Sequence, residues 1–125
     1  MLQIMLVAIG GATGSVARYL TGLLTLRLFG PNFPWGTLAV NVIGSMAIGV
    51  FTELIARRFE ASPELRLLLV TGFLGGFTTF SAFSLDVAVL VERGAWMPAL
   101  AYVSASMLVS LFAVFAGLAL TRALL

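Results

Sequence analysis

The residues best suited to chemistry gather in one run, Thr71-Gly72-Phe73-Leu74-Gly75-Gly76-Phe77-Thr78-Thr79-Phe80-Ser81-Ala82-Phe83-Ser84. None of them titrates near neutral pH. Hydroxyls at Thr78, Thr79, Ser81 and Ser84 can bond freed backbone groups or line a polar path. Phe77, Phe80 and Phe83 recur every third residue, a spacing that suits a tight or unwound turn better than a regular helix. Adjacent glycines followed by two β-branched threonines also make a poor helix centre. Where such a helix opens inside a membrane, its carbonyls can ligate a cation and the next half-helix N-terminus favours an anion. A phenylalanine ring has an electropositive edge, so rings set edge-on tolerate a small anion in a dry path. The plainer reading is that Gly72 and Gly76, spaced as GxxxG, only let two helices approach closely. The hydroxyls and rings packed immediately after them weigh toward a break.

Two further polar stripes share this uncharged character. Thr37, Asn41 and Ser45 recur at four-residue spacing, as do Tyr102, Ser106 and Ser110, so each set shares a helix face. Such stripes serve as interhelical glue or as the lining of a pathway. A lining without acids stabilises a dehydrating ion by hydrogen bonds alone. Two charges, Arg18 and Asp86, also fall within apolar stretches. An intramembrane charge points to function, although Arg18 could equally snorkel to an interface or place positive potential at a pore mouth. Glu53 precedes Arg57 by four residues, an ordinary helix-end pair.

Much chemistry is excluded. There is no Cys, no His and no Lys, and all seven basic residues are Arg. Disulfides, thiolate or imidazole metal sites, Cys or His nucleophile pairs and Schiff-base lysines are ruled out. Asp86 has no His, Lys or Cys partner, so an enzyme is not expected. A net charge of +2 from scattered residues does not make a nucleic-acid surface.

The elements that must position these residues are membrane helices. The 125 residues are 61% hydrophobic and 10% charged, with mean hydropathy +1.12, far from a soluble composition. One domain of four spans is predicted, at about 2–29, 35–56, 64–92 and 97–122. The first stops at Gly30-Pro31-Asn32-Phe33-Pro34, which no helix crosses, and has no basic n-region, so it does not read as a cleaved signal. Ser62-Pro63-Glu64 opens the third with a cap, a first-turn proline and an acid at the positive end of the helix dipole. Residues 66–92 would reach about 40 Å as one helix, long for a hydrocarbon core of about 30 Å. Trp35 and Trp96 stand at span starts, where indoles prefer the headgroup level.

Orientation is weakly specified. Arg57, Arg58, Arg66 and Arg122 fall on the side of the N-terminus, while Arg27 and Arg93 fall on the other, with Arg18 nearer to that end. This small bias fits a cytoplasmic N-terminus, and it fits equally a chain that inserts both ways and pairs antiparallel with itself. Self-association is expected on either reading, since four short helices rarely enclose a path alone.

With these residues in view, the sequence resembles the Fluc (CrcB) fluoride channels of bacteria and archaea. The resemblance spans essentially the whole chain and is carried by Gly14-x3-Arg18, by Gly36-Thr37-Leu38-Ala39-Val40-Asn41 and above all by the run 71–84. It implies an all-α membrane protein of four transmembrane helices, the third broken near the midplane. It further implies an antiparallel dual-topology homodimer with two fluoride pores, in the cytoplasmic membrane. The expected pore lining is Asn41, Phe80, Phe83, Ser81, Ser84, Tyr102, Ser106 and Ser110, with Arg18 and Asp86 at a vestibule. A structural sodium is implied at the subunit interface, on the backbone carbonyls of Gly75 and Thr78. Relatives often carry Glu at the place of Asp86, and some carry Thr at the place of Ala82. The partners expected are a second copy of the chain, fluoride and the lipid bilayer, with no nucleic acid.

Two other functions remain as alternatives. A small dual-topology multidrug exporter would need a membrane-embedded carboxylate in its first helix, where this chain has Arg18 and no acid. A non-conducting membrane assembly subunit would use the glycine and serine faces for packing alone.

Overall fold

A computed structural model of the chain describes all residues 1–125. It is wholly helical: α1 (Leu2–Phe29), α2 (Trp35–Arg58), α3 (residues 63–77), α4 (Ser81–Glu92) and α5 (Trp96–Leu124). Four stretches are long and apolar enough to cross a membrane, with α3 and α4 together making the third. Only 16 of the 125 residues are buried, while large apolar side chains lie exposed along α1, α2, α4 and α5. A soluble chain could not afford that surface, but lipid can cover it. This is a multi-pass membrane protein.

Local chemistry sets the helix ends. Gly30 closes α1 at φ +79°, a conformation that favours glycine, and its N–H donates to Leu26 O. Ser62 Oγ accepts from Leu65 N at 3.3 Å and caps α3, with Pro63 in the first turn. Beyond that turn, residues Arg66–Leu74 wind in wide π-helical turns, which the sequence did not signal.

The segment after these turns differs in detail from the sequence reading. Gly75 and Gly76 stay helical, and the chain leaves the helix only at Thr78, whose backbone is extended at φ −89°, ψ 161°. It resumes at Ser81. The glycines serve close packing instead. A Cβ on Gly72 would stand 3.0 Å from Gly10 Cα, and one on Gly76 would stand 2.5 Å from Gly11 O. Close approach and interruption are therefore adjacent in this run rather than alternatives.

Two crossings organise the fold. α1 lies on α3, where a Cβ on Gly14 would collide with Phe73 O. α2 lies on α5, where a Cβ on Gly49 would collide with Val114 O and one on Gly117 with Met46 O. Small residues let the backbones touch, the main source of helix affinity where lipid is as apolar as leucine. At one end of the second crossing, Glu53 pairs with both Arg57 and Arg122, so the expected helix-end pair also ties α2 to α5.

Candidate functional site

The interruption at 78–80 is held by side chains from other helices. Asn41 faces Thr79 with both ends of its amide: Nδ2 donates to Thr79 O at 2.9 Å and Oδ1 accepts from Thr79 N at 2.8 Å. This replaces the backbone pairing that the open turn forfeits, as buried peptide groups require. Arg18 Nε donates to Gly76 O at 3.1 Å. Thr78 Oγ1 donates to Leu74 O, and Thr79 Oγ1 accepts from Ala82 N at 3.1 Å in the first turn of α4.

What stays unpaired is as telling. The carbonyls of Gly75, Phe77 and Thr78 accept no hydrogen bond, and the N–H groups of Phe80, Ser81 and Phe83 donate none. The carbonyls offer negative partial charge to a cation, and the amides at the start of α4 offer positive potential to an anion.

Two grooves flank this segment, and Thr79 borders both. The first, about 690 Å³, is charged: Arg18, Asp86 and Arg93 border it together with Thr37 and Trp35. The second, about 400 Å³, has no charged residue and is bordered by Asn41, Ser45, Gly75, Thr78, Phe80, Phe83, Ser106 and Ser110. The hydroxyls of Ser106 and Ser110 are buried without a hydrogen-bond partner. Each such orphan costs about 1–3 kcal/mol in an apolar setting, which a bound acceptor or water would recover. One Asn41 N–H is also left over after the Thr79 pairing, since the amide carries two. Phe80 is 77% exposed, and its ring lies 5.6 Å from that of Phe83 at 45°. The groove thus combines hydroxyl and amide donors, two phenylalanine rings and no acid.

Of the residues expected on the lining, Tyr102, Ser81 and Ser84 do not border this groove in the single chain. Tyr102 is fully buried; its hydroxyl donates to Asp86 Oδ2 at 2.9 Å, and its ring backs Phe83 with centroids 5.1 Å apart. Four-residue spacing overshoots the helical turn by about 40° per step, so Tyr102 is rotated about 80° from Ser110. The same drift carries Thr37 to the charged groove while Asn41 and Ser45 border the uncharged one. Ser84 Oγ is spent on Phe80 O, and Ser81 Oγ lies 3.4 Å from Thr79 Oγ1; both serines are exposed. Arg18 and Asp86 do border one groove together. The Asn41–Thr79 pairing and the roles of Tyr102 and Thr37 gave no sequence signal, because each depends on where a distant helix lies.

The family model described as CrcB-like protein, Camphor Resistance (CrcB), matches residues 5–118. The chain is 64% identical over 124 residues to a Rhizobium etli protein named Fluoride-specific ion channel FluC, covering 99% of each chain. Proteins of the same name from Rhizobium leguminosarum bv. trifolii and Agrobacterium fabrum are 66% and 64% identical, covering 99% and 98% of each chain.

Proposed function

The chain belongs to the CrcB family and is not an enzyme, and we propose that it is a fluoride-selective channel for passive export of fluoride down its electrochemical gradient. The observation that carries this reading is the uncharged groove, where the orphaned hydroxyls of Ser106 and Ser110 meet Asn41 and the Phe80–Phe83 pair without a nearby acid. Fluoride is a small, strongly hydrated acceptor. Hydroxyl and amide donors replace part of its water shell, and ring edges add weak positive potential without trapping it. The open amides at the start of α4 contribute in the same direction.

The driving force needs no coupling machinery. Fluoride enters acidified cells as neutral HF and dissociates inside. A membrane potential of 100 mV, negative inside, is worth about 2.3 kcal/mol per charge, enough to hold roughly a 50-fold lower fluoride concentration inside than outside. A passive pore in the cytoplasmic membrane is therefore sufficient for export.

One chain leaves the groove open on the side where Phe80 is exposed, so a second copy supplies the missing wall. In this reading two copies pair antiparallel, the weak charge bias permits both insertions, and each dimer carries two pores. The carbonyls of Gly75 and Thr78, free of hydrogen bonds and bordering this groove, fit a structural sodium as oxygen donors. When bound, that ion supplies positive charge to the subunit contact. Asn41 fixes the position of Thr79, and Tyr102 sets the ring of Phe83 from behind.

The test is fluoride efflux from liposomes containing the purified protein, followed with a fluoride electrode beside a chloride control. Rapid fluoride efflux with little chloride supports the channel. Well-folded dimers that release no fluoride overturn it and leave a non-conducting assembly.

A further inference from the structure

Arg18 is a cation inside a membrane-spanning helix with no carboxylate at ion-pair distance; the ion pairs in the chain both use Glu53. Asp86 borders the same groove, but Tyr102 donates to it. What Arg18 meets instead is the end of α3, through the Nε contact to Gly76 O. The sequence explains the reach. Gly11, Gly14 and Ser15 precede Arg18 by seven, four and three residues, so all share its face. That face lies so close to α3 that a Cβ on Gly76 would stand 3.0 Å from Ser15 Oγ. One turn beyond, Arg18 arrives where α3 stops.

A helix C-terminus carries roughly half a negative charge in its unpaired carbonyls, and cations there are stabilising. Of the carbonyls freed between residues 75 and 78, only that of Gly76 is taken by a side chain. We propose that Arg18 is a positioning residue for the interrupted segment: its Nε–H pins Gly76 O and so holds the neighbouring Gly75 and Thr78 carbonyls open and in place. The remaining N–H donors of the guanidinium make no hydrogen bond in the chain, so the same side chain carries positive charge to the groove that it borders. This deepens the channel reading and rests on it for its functional consequence, but the positioning itself is a property of the fold.

Charge and geometry separate in one substitution. Arg18→Lys keeps the positive charge but has a methylene where Arg carries Nε–H, whereas Arg18→Gln removes the charge. The experiment is amide hydrogen exchange on the full-length protein, reading Thr78, Thr79 and Ala82, whose N–H groups are bonded, against α2 and α5 as internal controls. The expected result is that both variants exchange about tenfold or more faster at these amides, with α2 and α5 unchanged. Arg18→Lys exchanging like the wild type would overturn the proposal, because the Nε–H would then not be needed. Acceleration spread evenly over all helices would overturn it as well. Wild-type protein that passes no fluoride sinks the channel reading without touching this exchange pattern, so the two failures are distinguishable.

Discussion

The two grooves on either side of Thr79 differ in how their polar groups are spent. In the charged groove, Asp86 is met by the Tyr102 hydroxyl and Arg18 by Gly76 O. In the uncharged groove, Ser106 and Ser110 are left without partners. A polar group that finds its partner inside the chain holds structure, and one that does not is available to a ligand. The two grooves thus leave different groups free: the remaining guanidinium N–H donors of Arg18 beside one, and two serine hydroxyls in the other.

That contrast can be broken or sharpened by substitution. The largest effect is expected from Asn41→Asp, which puts a carboxylate where the uncharged groove needs a donor and faces it toward Thr79 O. A like charge about 4 Å from a passing anion costs about 4 kcal/mol at an effective dielectric of 20, so fluoride efflux from liposomes should fall about 1,000-fold. Full conduction would remove Asn41 from the pathway.

Next is the double change Ser106→Ala with Ser110→Ala. Losing two donors should lower efflux by up to about 100-fold, yet thermal stability in detergent should hold or rise, because two orphaned hydroxyls leave with them. Stability falling together with flux would mark the serines as packing groups.

Phe80→Ile should reduce efflux about tenfold while the dimer persists on size-exclusion chromatography, since an aliphatic group has no electropositive edge. Unchanged flux would take the ring out of the mechanism.

The smallest effect on flux, and the one that sharpens the contrast most, is expected from Tyr102→Phe. Removing its hydroxyl leaves Asp86 without a donor and should cost about 1 kcal/mol of stability, with efflux within about twofold of the wild type. A large loss of flux with stability intact would move Tyr102 onto the pathway itself.

Much was legible in the sequence alone. Composition and the Gly-Pro and Ser-Pro punctuation determined a membrane protein with four apolar spans and where they end, because hydrocarbon demands helices and such punctuation stops them. The missing Cys, His and Lys excluded most catalysis, and the run 71–84 marked the irregular segment. Which hydroxyls are free and which are spent was decided only by the tertiary structure. Tyr102, Ser106 and Ser110 look equivalent at four-residue spacing, but helical drift turns Tyr102 toward Asp86 and leaves the two serines at the groove. Asn41 and Thr79 are 38 residues apart, and Arg18 and Gly76 are 58 apart. No local pattern encodes those pairings, because a hydrogen bond needs its partner within about 3 Å and packing between helices alone sets that distance.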